Sequence, residues 1–213
     1  VARWREDEGY TEDGPFLIVS GGDTFTGPAL STWFDGESMI DVMNAMGYDA
    51  AAIGNHEFDF GIDGLQARAA EATFPFLGAN VVPDHANHPI TGAALPYVVQ
   101  DVAGLGDGAT VAVGIIGLAS TRTPQTTMPT HLTGLTFAPY ATTLAEVVPQ
   151  VRAEGAEVII VISHLCGPEL KALTPVAADL GIAMLGGGHC HERISRVEQG
   201  VAVVESGWQM QAY

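Results

Sequence analysis

The sequence predicts an α/β domain built on a largely parallel or mixed central sheet. Three observations carry that reading: short apolar runs without polar alternation, helical stripes between them, and enough apolar length for one sizeable core. The runs are Phe16 to Val19, Ala50 to Ile53, Val111 to Leu118, Val158 to Ile162, Ile182 to Leu185 and Val201 to Val204. A strand apolar on both faces is one buried on both faces, as in a sheet covered by helices. Met39, Val42, Met43 and Met46 recur at i, i+3, i+4 and i+7 and stop at Gly47, and Leu144, Val147, Val148 and Val151 repeat the pattern and stop at Gly155. Both stripes read as core faces of helices ended by glycine, and the methionines as packing rather than soft-metal ligands. Pro83 to Pro96 and Ser120 to Leu135 lack periodicity and read as surface loops.

At 213 residues, 47% hydrophobic and 15% charged, the chain makes one domain and is too apolar for disorder. Eight Lys plus Arg against 25 Asp plus Glu leave a net charge of −17, a field that repels nucleic acid polymers and anionic membranes. No stretch reaches the roughly 18 apolar residues of a membrane span. The start, Val1 to Glu8, is charged and helix-like rather than a signal core, so further sequence is expected upstream.

The chemistry gathers at strand ends. Phe16 to Val19 leads through Ser20, Gly21 and Gly22 to Asp23, and Ala50 to Ile53 leads through Gly54 to Asn55, His56 and Glu57. Val158 to Ile162 leads through Ser163 to His164, and Ile182 to Leu185 leads through three glycines to His189, Cys190 and His191. Carboxyl ends of parallel strands lie side by side, where open α/β sheets bind ligands. One Asp, one Asn and several His supply oxygen and imidazole donors that suit Mn, Zn, Fe or Co. The other histidines, His85, His88 and His131, fall in the two aperiodic segments and read as solvated. The glycine strings lack the spacing of a P-loop or a dinucleotide fold, so they read as sharp turns aiming ligands into the crevice.

Gly22-Asp23, Gly54-Asn55-His56-Glu57, Ser163-His164 and Gly188-His189-Cys190-His191 resemble, in order, the later motifs of the calcineurin-like metallophosphoesterases. The strings from Gly21 to Pro28 and from Ala52 to Gly61 are similar to the 5′-nucleotidase branch, and the resemblance runs from about Phe16 to Tyr213. It implies a layered α/β/β/α sandwich with mixed, largely parallel sheets, two divalent metal ions, and hydrolysis of 5′-nucleotides or related phosphate esters by a metal-bound hydroxide. By the resemblance, Asp23 bridges the metals, Asn55, His164 and His189 complete one of them, and His191 belongs to the other. His56 and Asp59 match the catalytic pair, in which the carboxylate orients an imidazole that stabilises the transition state or protonates the leaving oxygen. Glu57 is not a ligand in that pattern, and a structural role is expected for it. The branch is mostly periplasmic, secreted or on the cell surface, which sets the expected localisation.

Two features depart from the pattern. The family's first motif, Asp-x-His, is absent from the sequence, and no segment can be assigned to the C-terminal domain that contacts the nucleotide base. The expectation is a catalytic domain over residues 1–213, truncated at both ends, whose partner domain lies in the intact protein. Two alternatives keep the fold: a catalytically impaired metal-binding surface protein, and a sulfur-ester hydrolase. Cys166 and Cys190 leave three readings open: thiolate ligands, a disulfide across neighbouring strand ends, or small buried thiols.

Overall fold

The computed structural model describes residues 16–103 and 109–208, so the charged start and the stretch from Gln209 to Tyr213 lie outside the described residues. In chain order the strands are β1 (Val19–Ser20), β2 (Ala50–Ala52), β3 (Phe76–Leu77), β4 (Val81–Pro83), β5 (Tyr97–Ala103), β6 (Thr110–Leu118), β7 (Leu135–Phe137), β8 (Val158–Ser163), β9 (Met184–Gly186), β10 (Arg193–Glu198) and β11 (Val201–Ser206). The helices are α1 (Ala29–Trp33), α2 (Glu37–Met46), α3 (Gly61–Glu71), α4 (Ile90–Ala93), α5 (Thr123–Thr126), α6 (Tyr140–Ala153) and α7 (Gly167–Asp179), and a 3-10 turn spans His56–Phe58.

Two principal sheets form. One is the parallel array β1-β2-β3, and the other has the order β10-β11-β9-β8-β6-β5, parallel from β11 through β6 with antiparallel edges. A two-stranded antiparallel pair, β4-β7, closes the side. The layering follows from the period-2 alternation of strand side chains. Ala50, Ala52 and Leu77 of the small sheet pack on Val113, Ile115 and Ile162 of the large one, so the two sheets lie face to face. The opposite face of the small sheet, with Ala51, Ile53 and Phe76, meets Ile40, Met43 and Leu65 from α2 and α3. Ile116, Ile159, Val161 and Leu185 on the far face of the large sheet meet Leu144, Val148 and Val151 of α6 and Leu170 and Leu173 of α7. The expected α/β/β/α order is therefore present, with nearly every central strand position apolar because both faces are covered.

The strand ends bearing the motifs do not share one sheet, as the side-by-side reading supposed. Asp23 and Asn55 follow β1 and β2 of the small sheet, whereas His164 and His189 follow β8 and β9 of the large one. The α6 stripe is buried as expected, but the α2 stripe is rotated: Ile40 and Met43 are its buried residues and Val42 is 49% exposed. Gly47 adopts a left-handed backbone that accommodates the α2 stop. The aperiodic segments are not plain surface loops, because they contain α4, α5, a 3-10 turn at Pro129–Leu132 and buried Ile90, Thr123 and Leu132. His88 is likewise buried rather than solvated: its Nδ1 accepts the Ile90 amide at 3.2 Å, so its Nε2–H donates to the Thr133 carbonyl at 3.0 Å. Strands β3, β4, β5, β7 and β10 had no clear apolar run to announce them.

Candidate metal centre

The carboxyl ends of both sheets converge on one point. Each approach is made by glycine: a Cβ on Gly188 would lie 2.8 Å from the Gly21 carbonyl oxygen, and one on Gly54 would overlap the Asp23 carboxylate. These close approaches bring Asp23, His164 and His189 together, their ligating atoms all within 4.8 Å of one another. His164 Nε2 lies 3.0 Å from Asp23 Oδ2 and 3.0 Å from His189 Nδ1.

The protonation of His164 decides what this group is for. Its Nδ1 faces the Gly21 carbonyl at 2.8 Å, and a carbonyl oxygen only accepts, so Nδ1 carries the hydrogen. Neutral His164 therefore points the Nε2 lone pair at a carboxylate oxygen and a second imidazole nitrogen. A carboxylate oxygen and two imidazole nitrogens this close together can hold a cation between them. Without a metal a proton takes that place: burial lowers the His164 pKa, but the hydrogen bond and charge of Asp23 outweigh it and hold the pKa above the usual histidine value. Asp23 moves the opposite way, burial being outweighed by His164 and by the His56 amide. Burial and the His164 charge hold the His189 pKa below the ordinary value.

Asn55 offers a further oxygen in the adjoining turn. It is buried, adjacent to His56 whose amide donates to Asp23 Oδ1 at 3.0 Å, and its own Oδ1 is a buried atom without a hydrogen-bond partner. A carboxylate and two imidazoles, with a buried and unpartnered amide oxygen in the adjoining turn, make a donor set that fits a divalent cation of the Mn, Zn, Fe or Co type. His191 stands outside this group: it is exposed and its ring stacks on Trp208 with centroids 5.8 Å apart. Asp23, His189 and His191 have φ of +62°, +71° and +56°, a backbone region that L residues seldom occupy and that clusters at functional sites.

The 3-10 turn carries the second half of the site. Its one-turn spacing brings His56 Nδ1 within 2.6 Å of Asp59 Oδ2, and Thr26 Oγ1 donates to the same oxygen at 2.8 Å. Asp59 thereby fixes the orientation of the ring through Nδ1. Burial lowers the His56 pKa, but the Asp59 hydrogen bond and the charges of Asp23, Asp59 and Glu57 raise it above the ordinary value overall.

Glu57 has the structural role expected of it. Fully buried, it accepts the amides of Gly54 and Asp23 on Oε2 and the amide and hydroxyl of Thr24 on Oε1. It thus ties the Asp23 loop to the turn bearing Asn55 and His56. Burial and then the Asp23 charge push its pKa up against these donors.

The segment 120–135 straps the same turn from outside. Thr127 Oγ1 donates to the Asn55 carbonyl at 3.1 Å and His131 Nδ1–H to the Phe58 carbonyl at 2.9 Å. His131, read from sequence as solvated, is half-buried here, and no local signal could have shown it, since its partner lies 73 residues away. The cysteines resolve to one of the three open readings: Cys166 and Cys190 form a disulfide, which excludes thiolate ligands and free buried thiols.

No family model matches the chain. It is similar to the 5′-nucleotidase of Rattus norvegicus, 34% identical over 180 residues that cover 84% of this chain and 30% of the relative. Among solved structures, the calcineurin-like phosphoesterase YfkN from Bacillus subtilis superposes with a TM-score of 0.77 at 27% identity, covering 97% of this chain and 70% of that one. The chain belongs to the calcineurin-like metallophosphoesterases, in their 5′-nucleotidase branch. This metallophosphoesterase domain also resembles the sulfate thiohydrolase SoxB of Thermus thermophilus, with a TM-score of 0.75 at 26% identity, covering 97% of this chain and 35% of that one. It spans 30% of the length of the rat 5′-nucleotidase. Among the described residues of the metallophosphoesterase domain, no helix is long and apolar enough to cross a membrane.

Proposed function

We propose that the domain hydrolyses phosphate esters, with 5′-nucleotides as the substrate class, by means of divalent cations. The observation that carries this reading is the convergence of the ligating atoms of Asp23, His164 and His189, with the unpartnered Asn55 amide oxygen and the His56–Asp59 pair in the turn whose His56 amide bonds to Asp23. These four residues would hold one cation. His191 together with Asp23 would serve a second, as the resemblance implies. Bound there, the cations would neutralise phosphoryl oxygens and bring the pKa of a water molecule down to about 7.

The chain's own part is orientation and proton handling. Asp59 accepts from His56 Nδ1 and keeps Nε2 directed for donation, so a protonated His56 delivers its proton to the departing ester oxygen or stabilises the transferring phosphoryl group. Asp23 orders the same turn by accepting the His56 amide. The disulfide supports an exported location, because such bonds persist in oxidising compartments. Nucleotide substrates are favoured over sulfur esters by the 34% identity to a 5′-nucleotidase across most of the chain.

The test is cation titration of metal-free protein followed by phosphate release from AMP or p-nitrophenyl phosphate. Mn²⁺, Co²⁺ or Zn²⁺ is expected to bind and to switch on release, and His164→Ala to weaken binding at least about tenfold. Release that persists in excess chelator, or wild-type binding by His164→Ala, would overturn the reading.

The strap yields a second expectation. His131→Ala is expected to lower kcat about tenfold with little change in KM, because the turn bearing His56 loses one of its two outer ties. His131→Asn, which retains an N–H donor, should restore most of the loss. A KM effect without a kcat effect would remove His131 from this positioning role.

A further inference from the structure

We infer that the Cys166–Cys190 disulfide is a positioning element of the metal centre, pinning the loop that carries His189 and His191 to the start of α7. The inference rests on the metal-centre reading above and adds to it a cause for the loop's shape.

The loop, residues 187–192, joins β9 to β10 and is preceded and entered through Gly186, Gly187 and Gly188. Glycines lose more backbone freedom on ordering than any other residue. Both of its histidines also sit at positive φ, +71° and +56°. Left to itself such a segment favours other conformations, so something must over-determine it. Backbone amides hold its two ends: Gly187 donates to the Val204 carbonyl at 2.8 Å, Gly188 to the Leu165 carbonyl at 3.1 Å, and Glu192 to the side-chain Oε1 of Glu205 at 2.9 Å. Cys190 lies between these ends and directly between the two histidines.

Its partner is a firm anchor. Cys166 is buried at the N-cap of α7, where its amide donates to Glu169 Oε2 at 3.1 Å, and Glu169 Oε1 in turn accepts the Tyr140 hydroxyl at 3.1 Å. Leu170, Leu173 and Ala177 bury the helix against the large sheet. Cys166 also follows His164 by two residues. One covalent bond, spanning a sequence separation of 24 with Cα atoms 5.2 Å apart, therefore ties the segment bearing His164 to the segment bearing His189. Their rings meet with His164 Nε2 3.0 Å from His189 Nδ1. A loop ordered in advance loses less entropy when a cation binds, and the saving appears as affinity.

The experiment compares three forms of the metal-free protein: oxidised wild type, wild type reduced with a phosphine that is then removed, and the Cys166→Ala/Cys190→Ala variant. In the reduction the phosphine takes the oxygen of one water to become a phosphine oxide, and the S–S bond becomes two thiols. Amide hydrogen exchange reads the loop, and calorimetric titration with Mn²⁺ reads the centre. Both disulfide-free forms are expected to exchange faster across 187–192 with α7 and β8 unchanged, and to bind Mn²⁺ about 10- to 100-fold more weakly. A bond that serves only global stability would leave loop exchange and affinity untouched well below the melting temperature, and that result overturns the inference. Faster exchange with unchanged affinity also overturns it, since the pinning would then serve something else. If oxidised wild type binds no cation, the metal-centre reading fails and takes the assigned purpose with it, while the exchange data separately show whether the pinning exists. Should the variant fail to fold, the reduced wild type supplies the same comparison.

Discussion

Replacing His56 by alanine is expected to lower turnover of a phosphate ester about 10²- to 10⁴-fold, the range for loss of a positioned proton donor, while cation binding and the melting temperature stay near wild type. The side chain is only partly buried and makes one side-chain hydrogen bond, to Asp59, so the fold gives up little. Its role also carries a pH signature. The pKa of His56 is raised, because the Asp59 hydrogen bond and surrounding carboxylates outweigh burial, and the acid form is therefore the working one until pH rises through that value. Turnover should decline on the alkaline side, and Asp59→Asn should move the decline to lower pH by removing the leading opponent of burial. The linkage has the same sign. A histidine with a raised native pKa adds stability below its unfolded pKa of about 6.5, and that contribution is lost as pH rises through the native value. Unchanged turnover in His56→Ala, or a decline that stays in place in Asp59→Asn, would remove the pair from the chemistry.

The largest stability effect is expected at Glu57. Truncation to alanine strips the buried acceptor from the buried Gly54 amide and from the part-buried amides of Asp23 and Thr24 and the Thr24 hydroxyl. A buried donor left without a partner costs about 1–3 kcal/mol, and three amides at that rate take a large share of the roughly 5–15 kcal/mol by which a domain is stable. At about 2–4 °C per kcal/mol for a domain of this size, the melting temperature of Glu57→Ala should fall by about 10 °C or more. Glu57→Gln, which keeps one acceptor oxygen and the side-chain volume, should fall by less. A drop under about 3 °C in the alanine variant would mean that water or a rearranged turn satisfies those donors.

Much of the fold was legible because its information is local. The apolar runs at Ala50 to Ile53, Val111 to Leu118 and Val158 to Ile162 announce strands covered on both faces, and the α6 stripe announces the helix that covers one of them. The α2 stripe was misplaced by a fraction of a turn: its methionines tolerate half-exposure, and Ile40 outcompetes Val42 for the core. Strands such as β3 and β7 were missed because two or three residues carry too little pattern. The burial of His88 and His131 escapes the sequence for another reason. A lone histidine in a polar segment looks the same whether its nitrogens meet water or a backbone carbonyl 45 or 73 residues away.

The sequence by itself determined the chemical ingredients: an Asp, an Asn and three histidines placed at strand ends, and a His and an Asp spaced by three so that a single 3-10 turn makes them touch. These are short-range matters, settled by residue type and by the few bonds between neighbours. Only the tertiary structure decided that the ends of two different sheets meet, that Gly21, across a separation of 143 residues, fixes the His164 lone pair toward Asp23, that Glu57 ties two loops through four hydrogen bonds, and that Cys166 bonds to Cys190. The physical reason is that each of these depends on how closely two packed sheets approach, a distance set by the whole core rather than by any stretch of chain.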